Sequence, residues 1–462
     1  MNYYLAVDIG ASSGRHMLGH VENGKICLEE MYRFENNLIE KNGHLCWDTS
    51  ALFDSIIKGM QACKAAGKIP VTMGIDTWAV DFALLDANDN LIGDTVAYRD
   101  KRTEGMKSAY PFDELYAKTG IQYQPFNTVY QLLALKKEAP QLLQNAQSLL
   151  MIPDYFGFLL TGVKKQEYTN ATSTALVNAA EKTWDMPLID ALGLPQKLFG
   201  ELSMPKTAVG NLSDEIKNKV GFDCTVVLPA THDTGSAFLA VPARDDNAVY
   251  ISSGTWSLLG VENEAPLTSP QSAAANFTNE GGFEYRYRYL KNIMGLWMIQ
   301  SIRRNLDKKY SFAELEQMAR EAGGFDSIVD VNDESFLAPT SMIDAVKAYC
   351  EATNQAVPST IGETVQCVYK SLALGYAEAI KQLSALTGKK YTSINIVGGG
   401  SKDGYLNELT AKATGLTVFA GPTEGTALGN LMAQMIAKNE YKSLHAARAA
   451  IKLSFEIKEI KP

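Results

Sequence analysis

The 462-residue sequence has no apolar run near the roughly 18 residues that a membrane-spanning helix requires. Its first ten residues, MNYYLAVDIG, contain no basic region followed by an apolar stretch, so no secretory leader is predicted. Basic residues are also fewer than acidic ones: the chain has 43 Lys and Arg and 52 Asp and Glu, which gives a formal net charge of −9. This balance argues against nucleic acid or a membrane as a partner. No repeat array or heptad run supports a purely structural role.

Cysteine is scarce, and no two cysteines have the CxxC spacing of common zinc and redox motifs. Scattered thiols of this kind are typical of a reduced, cytoplasmic protein. The sequence leaves open whether Cys350 and Cys367 pair. The six cysteines are Cys27, Cys46, Cys63, Cys224, Cys350 and Cys367.

Both standard phosphate-binding motifs are missing. The segment closest to a P-loop, GHVENGKI at residues 19–26, ends in Ile and lies in a predicted hairpin rather than before a helix. No G-x-G-x-x-G follows a predicted strand. A nucleotide bound by this chain would therefore be held by neither a P-loop nor a dinucleotide-binding motif.

The remaining sequence predicts a well-packed α/β protein of two domains. Hydrophobic residues make up 46% of the chain, and short apolar runs alternate with segments of helical periodicity. The polar segment VPARDDNAV, at 241–249, is the predicted connector and divides the chain into domains 1–244 and 245–462. Each domain opens on a similar pattern of strand, small polar turn and strand: YLAVDIGASSGRHMLGHVE at 4–22 and AVYISSGTWSLLGVE at 248–262. We interpret this as an internal duplication.

Two segments of the first half carry polar residues between apolar ones. DIGASSGR, at 8–15, is either an ordinary hairpin turn or a row of N–H and hydroxyl donors suited to phosphate. GIDTWAVDFALLD, at 74–86, is a strand-like run in which Asp76 and Asp81 either accept hydrogen bonds from sugar hydroxyls or pair with Arg99 or Arg102.

Two further segments combine glycine with polar residues next to a predicted helix. In IVGGGSKDG, at 396–404, Gly398–Gly400 either approach a flat base or phosphate or form a tight turn capped by Ser401 or Asp403. In THDTGSAF, at 231–238, Asp233 is a candidate general base. The alternative is that Asp233 or Thr234 caps a helix that starts near Gly235.

Together these segments, with SSGTWSLLG at 252–260 and EGTALGN at 424–430, resemble the FGGY carbohydrate kinases of the actin/sugar-kinase superfamily. The resemblance runs through the whole chain and in the family's order. It implies an α/β fold of two actin-like (ribonuclease H-like) lobes with the active site in the cleft between them. It also implies transfer of a phosphoryl group from ATP to a sugar hydroxyl. GASSGR, HDTGSA and SSGTWSLLG most resemble members that phosphorylate L-rhamnulose at its 1-hydroxyl in L-rhamnose degradation.

The resemblance also implies the residues that handle the sugar. It makes Asp233 the general base, with His232, Asp233 and Thr234 in contact with the ketose. Asn292, in YLKNIMGLW, matches a further sugar-contacting position. Ala79 stands where the family has glycine, and its methyl group is expected to narrow the pocket or shift the preferred ketose.

The nucleotide contacts implied by the resemblance come from both halves of the chain. Thr255 matches the second phosphate loop, Gln300 a nucleotide contact and Gly399 the adenosine turn. A Mg²⁺ ion is implied that is held mostly by phosphate and water, with Asp8 as a ligand through water and no direct protein ligand assigned. The first phosphate loop is matched by Ala11, Ser12, Ser13, Gly14 and Arg15.

Two alternatives stay open at this point. One is another FGGY kinase acting on fuculose or xylulose. The other is a non-catalytic actin-like ATPase or sugar-binding protein, which needs no base facing a hydroxyl. The expected partners are a small ketose and ATP, and the chain is expected to act as a monomer or homodimer.

Overall fold

The computed structural model describes residues 1–243 and 245–462, and its contacts divide them into two compact units. Unit 1 comprises Met1–Ala240, Glu262–Tyr289 and Thr426–Ser454. Unit 2 comprises Val241–Val261, Leu290–Gly425 and Phe455–Pro462. Arg244, the last residue of the predicted first domain, lies outside the described residues, so the boundary after it stays a prediction.

The strands are numbered in chain order through the described residues. They are β1 (Tyr3–Ile9), β2 (Ser13–Glu22), β3 (Lys25–Glu35), β4 (Leu38–Lys41), β5 (His44–Trp47), β6 (Pro70–Thr77), β7 (Phe82–Leu85), β8 (Leu91–Ile92), β9 (Ser148–Met151), β10 (Gln166–Glu167), β11 (Val177–Asn178), β12 (Thr183–Trp184), β13 (Leu202–Ser203), β14 (Ala208–Asn211), β15 (Thr225–Val227), β16 (Ala248–Ser253), β17 (Trp256–Asn263), β18 (Thr278–Gly281), β19 (Tyr287–Met294), β20 (Ser393–Val397), β21 (Thr417–Ala420) and β22 (Lys458–Ile460).

The α-helices are numbered in the same way. They are α1 (Thr49–Ala65), α2 (Phe112–Thr119), α3 (Thr128–Glu138), α4 (Pro140–Asn145), α5 (Ile152–Thr161), α6 (Tyr168–Thr172), α7 (Met186–Ala191), α8 (Asp214–Val220), α9 (Asp233–Leu239), α10 (Pro270–Ala274), α11 (Trp297–Asn305), α12 (Phe312–Glu321), α13 (Met342–Ala352), α14 (Ile361–Thr387), α15 (Gly404–Thr414), α16 (Gly425–Ala437) and α17 (Leu444–Ser454). Short 3₁₀ turns span Lys101–Thr103, Met106–Ala109, Gln196–Leu198, Phe283–Tyr285, Glu334–Phe336 and Gly399–Lys402.

The predicted mixture of strands and helices is confirmed as a mixed α/β fold. The first large sheet has the order β14-β15-β6-β1-β2-β3. Its central strand, β1, is buried along nearly all its length, which is typical of a strand covered on both faces. Strands β1 and β6 are parallel, and their register sets Asp8 opposite Asp76. The carboxyl ends of these strands therefore bring two acidic side chains to one edge of the sheet.

A second large sheet repeats the central part of this arrangement and confirms the predicted duplication. Its order is β18-β19-β17-β16-β20-β21-β22. Strands β16 and β17 form an antiparallel hairpin, as β1 and β2 do, and β16 pairs in parallel with β20, as β1 does with β6. Both small polar turns identified in the sequence thus join the first two strands of a sheet.

Local signals fixed several helix ends. Helix α1 begins at Thr49, and the side chain of Asp48 caps it by accepting a hydrogen bond from the Ala51 N–H at 2.9 Å. Helices α3 and α4 are separated at Ala139, directly before Pro140, because proline disfavours helical backbone in the preceding residue.

The structure also bears on the cysteines and on membrane insertion. All six cysteines are free thiols, Cys350 and Cys367 included. Over the part of the chain that is described, no helix is both long and apolar enough to cross a bilayer.

Candidate active site

The segment 231–234 turns from extended backbone into helix α9 beside the end of β6. The Thr77 N–H donates to the Thr231 carbonyl at 2.9 Å, and Thr77 forms an isolated parallel bridge with His232. Helix α9 begins at Asp233, two residues before the predicted start. His232 occupies the capping position without a side-chain cap, so the prediction that Asp233 or Thr234 caps the helix is wrong.

The carboxylate of Asp233 faces two polar neighbours through one oxygen. Its Oδ1 accepts hydrogen bonds from the backbone N–H and the hydroxyl of Thr234, at 2.5 and 3.1 Å, and lies 3.4 Å from His232 Nε2. A third of the Asp233 side chain is exposed. Among the described residues, Oδ2 receives no hydrogen bond, which leaves it available to an incoming hydroxyl group.

Glu167 holds the backbone that precedes this pair. Its fully buried Oε2 accepts from both the N–H and the hydroxyl of Thr231, at 3.2 and 2.9 Å. The same carboxylate receives the backbone N–H groups of Thr169 and Asn170. Glu167 was not predicted as a site residue. It lies 64 residues before Thr231, and no local motif marks a contact over that separation.

His232 is held on its other side by two further charged residues that the sequence did not reveal. Glu280 Oε2 lies 3.1 Å from His232 Nδ1, and Arg288 Nη2 lies 3.3 Å from the same nitrogen. Arg288 and Glu280 form an ion pair at 3.0 Å. Burial opposes ionisation of Glu280, but Arg288 and His232 outweigh it and lower the pKa of that carboxyl to about 2. The Glu280 carboxylate is therefore charged at any working pH.

Asp8, Asp76 and Asp233 form a group of mutually repelling carboxyls. Burial, followed by the nearby charge of Asp8, raises the pKa of Asp76 well above its ordinary value, and Asp233 adds to the shift. Burial raises the pKa of Asp233 too, and Asp8 adds to it although His232 opposes it. Asn430 donates to Asp76 Oδ2 at 2.5 Å, while Oδ1 is buried without a partner in the described residues. The arrangement favours a proton or a cation in their midst.

The first predicted phosphate loop is the tight turn between β1 and β2. Gly10 N–H donates to the Ser13 carbonyl at 2.9 Å, and Ser12 is exposed at the tip. Buried Asn36 holds the turn by donating from its amide to the Gly10 carbonyl at 2.9 Å and from its N–H to the Ser12 carbonyl at 3.1 Å. Arg15, across the hairpin, donates twice to Asp8 Oδ2.

Packing against Phe34 requires glycine at position 14. A Cβ at this position would lie 2.2 Å from the ring of Phe34. A Cβ at Gly10, in contrast, would meet only the Ser13 carbonyl at 3.5 Å. Packing therefore demands a glycine at position 14 but not at position 10.

The predicted strand over 74–86 is interrupted by a tight turn that carries Ala79. Strand β6 ends at Thr77 and β7 begins at Phe82. Val80 has a φ of 68°, a left-handed value that is strained for a β-branched side chain, and the Asp81 N–H donates back to the Ala79 carbonyl at 3.0 Å. Ala79 is partly exposed on this turn.

Asp81 holds the turn in place and does not pair directly with arginine. Its Oδ2 accepts from the indole N–H groups of Trp47 and Trp78, at 2.6 and 2.9 Å, and from the Tyr98 N–H at 3.0 Å. Gln131 donates to Oδ1 at 2.9 Å. The pairing of Asp81 with Arg99 or Arg102 that the sequence left open is therefore wrong, and both carboxylate oxygens already serve protein donors.

We expect the tryptophan fluorescence to report the ionisation of Asp81. Burial raises the pKa of Asp81 from 3.8 to about 6. As the pH rises through about 6, this carboxyl therefore loses its proton and becomes negatively charged beside two indole rings. Fluorescence of the folded protein should change with a midpoint near that pH. The transition should vanish in Asp81→Asn and persist in Trp184→Phe, whose indole donates to Gln166 instead. Loss of the transition in the second variant would contradict the assignment.

In unit 2, the second predicted phosphate loop is fixed to the start of α11. Thr255 is exposed at the tip of the hairpin between β16 and β17, and its carbonyl accepts the N–H groups of Gly295 and Trp297, each at 3.2 Å. Gln300 lies one turn into α11 and is partly buried. The structure thus brings the Thr255 loop and the helix of Gln300 together.

Asn292 and the three-glycine turn lie in the same unit. Asn292 is in β19, three residues before Gly295, and its Oδ1 is buried without a partner in the described part of the chain. A Cβ at Gly400 would lie 1.9 Å from Ser253 Oγ, just before the Thr255 loop, whereas the space above Gly399 is open to 4 Å. The side chain of Asp403 caps α15 by accepting from the Leu406 N–H. Of the two predicted caps, Ser401 and Asp403, the structure therefore has Asp403.

Comparison with known families accounts for both units. The N-terminal domain model of the FGGY family of carbohydrate kinases matches residues 3–240, and the C-terminal domain model of that family matches residues 249–438. The chain belongs to the FGGY family of carbohydrate kinases. It is therefore an enzyme that phosphorylates a carbohydrate, and the family implies ATP as the phosphoryl donor.

Relatives of this FGGY kinase match it over nearly its full length. A rhamnulokinase of Halalkalibacterium halodurans is 53% identical over 99% of this chain and 98% of its own. A rhamnulokinase of Oceanobacillus iheyensis is 51% identical over 98% of this chain and 97% of its own. The crystal structure of gluconate kinase from Lactobacillus acidophilus has the same fold, with a TM-score of 0.83 at 20% identity over 100% of this chain and 94% of that one.

Proposed function

We propose that this FGGY kinase transfers the γ-phosphoryl group of ATP to the 1-hydroxyl of L-rhamnulose, giving L-rhamnulose 1-phosphate in L-rhamnose degradation. The observation that carries the proposal is the carboxylate of Asp233, which is partly exposed, lies against His232 and Thr234, and has one oxygen with no protein donor in the described chain. The rhamnulokinases with which the chain shares half its residues supply the choice of sugar.

In this proposal Asp233 orients the primary hydroxyl and accepts its proton as the oxygen attacks phosphorus. The two Thr234 donors and His232 hold Oδ1, so Oδ2 points to the substrate in one orientation. The raised pKa of Asp233 makes this carboxylate a better proton acceptor than an ordinary aspartate. Exclusion of water around the site limits hydrolysis of ATP.

The other contacts are assigned as part of the same proposal. Ala79, His232, Asp233, Thr234 and Asn292 contact the ketose, and the buried, unpartnered Oδ1 of Asn292 supports its place among them. Residues 11–15 form the first phosphate loop. Thr255, Gln300 and Gly399 contact the nucleotide, which is consistent with the contact between the Thr255 loop and α11 and with the open space above Gly399.

A Mg²⁺ ion fits the acidic edge of the first sheet. The charge of Asp8 opposes ionisation of Asp76 there, and Asp76 Oδ1 is buried without a hydrogen-bond partner in the described residues. In the described residues, Asp8, Asp76 and Asp233 do not bring three ligand oxygens within 4.8 Å of one another, so we propose that Asp8 holds the ion through water. Bound Mg²⁺ would neutralise charge on the transferred phosphoryl group.

The same proposal includes the organisation of the chain. Residues 1–244 provide the base and the sugar contacts, and residues 245–462 provide most nucleotide contacts. The six free thiols suit a cytoplasmic enzyme. We propose that it acts as a monomer or homodimer.

Release of ADP in the presence of a panel of ketoses tests the function. We expect kcat/KM for L-rhamnulose to exceed that for L-fuculose and D-xylulose by about 10-fold or more, since single-group differences in a pocket give discrimination of that order. Phosphorus NMR of the product should find the phosphate on the 1-oxygen. Equal or better rates with xylulose would defeat the choice of sugar, and no sugar-dependent ADP release would defeat catalysis altogether.

A further inference from the structure

The strongest unexplained feature of the candidate site is the buried ion pair behind His232. Arg288 has 1% of its side chain exposed and Glu280 has 9%. Arg288 also donates a hydrogen bond through Nε to the Gly281 carbonyl at 3.0 Å. Burying two charges is expensive, and such pairs are often no more stabilising than apolar side chains of similar size. Stability alone therefore does not explain why this ion pair is buried here.

The pair faces the nitrogen of His232 that is turned away from Asp233. Arg288 Nη2 and Glu280 Oε2 both lie near Nδ1, while Nε2 lies 3.4 Å from Asp233 Oδ1. A guanidinium can only donate hydrogen bonds. In a neutral imidazole, Nδ1 carries no proton when it accepts from Arg288 and carries the proton when it donates to Glu280, which lies slightly nearer. In the first case the proton is on Nε2, and that N–H points to the Asp233 carboxylate.

Arg288 lies close to the start of helix α9. A Cβ at Gly235 would lie 3.5 Å from Arg288 Cζ and 3.1 Å from Ala230 Cβ. The guanidinium thus lies against the first turn of α9, the helix that begins with Asp233.

We propose that Arg288 and Glu280 are positioning residues that hold His232 in one orientation with its proton on Nε2, so that it donates toward the ketose and Asp233. Arg288 selects the tautomer, and Glu280 neutralises and orients Arg288. The inference rests on the proposed sugar-kinase function. It assigns to these two residues a part in ketose affinity and none in ATP affinity.

Nitrogen-15 NMR of the imidazole groups tests the tautomer directly, because the chain has five histidines and His232→Gln identifies the signal of His232. In the neutral form of the ring, the wild-type protein should carry the proton of His232 on Nε2. In Arg288→Met, Glu280 remains opposite Nδ1, and we expect a proton on that nitrogen. A wild-type ring with its proton on Nδ1 would overturn the proposal. This readout needs no turnover, so it stands even if no ketose is phosphorylated.

Steady-state kinetics test the consequence. Arg288→Met should raise KM for the ketose about 10-fold or more, because loss of a hydrogen bond to a charged group typically weakens binding by that factor. KM for ATP should change less than about twofold. The double variant Glu280→Leu/Arg288→Met removes the charges together and should recover thermal stability without recovering ketose affinity. Recovery of both would show that the pair is only structural and would refute positioning.

The control removes a partly exposed Arg–Glu ion pair elsewhere. Arg320 pairs with Glu408 at 2.7 Å in unit 2. Arg320→Met/Glu408→Gln should leave the ketose KM and the His232 spectrum unchanged. Failure of the wild-type enzyme on every ketose would count against the proposed function. If the enzyme is active but Arg288→Met leaves the ketose KM and the His232 spectrum unchanged, the result would count against positioning alone.

Discussion

Replacement of Asp233 by Asn is expected to lower kcat by about 10²- to 10⁴-fold, because removal of a general base typically has an effect of that size. The asparagine carbonyl can still accept from the Thr234 N–H and hydroxyl, so the start of α9 should keep its geometry. The melting temperature and KM for ATP should therefore change little. What is lost is the acceptor for the hydroxyl proton, and the defect should lie in kcat with ketose and ATP both saturating.

The pH profile makes this prediction specific to the base. Asp233 works when ionised, and burial raises its pKa above 3.8, so wild-type kcat/KM should fall as the pH is lowered through that raised pKa. Asp233→Asn should lose this acid limb along with its activity. Asp214→Asn is the matched control, since it makes the same change at the start of α8 in a side chain that is 95% exposed. Wild-type turnover in Asp233→Asn would sink the assignment.

Local patterns in the sequence were enough to find the two hairpin turns and the segment of the candidate base. In each case the signal is contained in a few consecutive residues, as in the turn from Gly10 to Ser13 or the sequence His232-Asp233-Thr234. Turn chemistry depends on neighbouring residues, so a short segment predicts it.

The supporting residues could not be found in this way because they act across long stretches of chain. Arg288 reaches His232 over 56 positions, and Glu167 reaches Thr231 over 64. The turn at Val80 was missed for a related reason. Apolar residues continue on both sides of it, over 78–80 and 82–85, so the sequence looks like one strand. What bends the chain is a set of distant donors, including the Thr128 hydroxyl, which donates to the Val80 carbonyl at 2.6 Å.

The glycine at 429, in the segment EGTALGN, has a role that only the structure reveals. A Cβ there would lie 1.7 Å from the carbonyl oxygen of Ser236 and 2.5 Å from its carbonyl carbon. Helix α16 therefore packs backbone to backbone against α9, three residues after Asp233. It is also held from its other side, since Asn430 donates to Asp76 and Gln434 donates to the Leu5 carbonyl at 3.0 Å.

Gly429→Ala is accordingly expected to reduce both stability and activity. The added methyl must move α9 away from α16 by about 1 Å or more, and misplacement of a catalytic group by 1 Å can lower the rate about 10²-fold. Overpacking of a filled core typically costs about 1–3 kcal/mol, which should appear as a lower melting temperature. Measurement of kcat at saturating substrates and of thermal unfolding checks both effects.

Gly157→Ala supplies the control for this substitution. Gly157 is also a helical glycine of unit 1, in α5, but a Cβ at that position meets nothing within 4 Å. Because alanine has the higher helix propensity, this variant should be as stable as the wild type or up to about 1 kcal/mol more stable, with unchanged kcat. If Gly429→Ala behaved like Gly157→Ala, the close contact of α16 with α9 would not be what positions Asp233. If the two variants differ as expected, the space at residue 429, and not the loss of a flexible glycine, sets the position of the base.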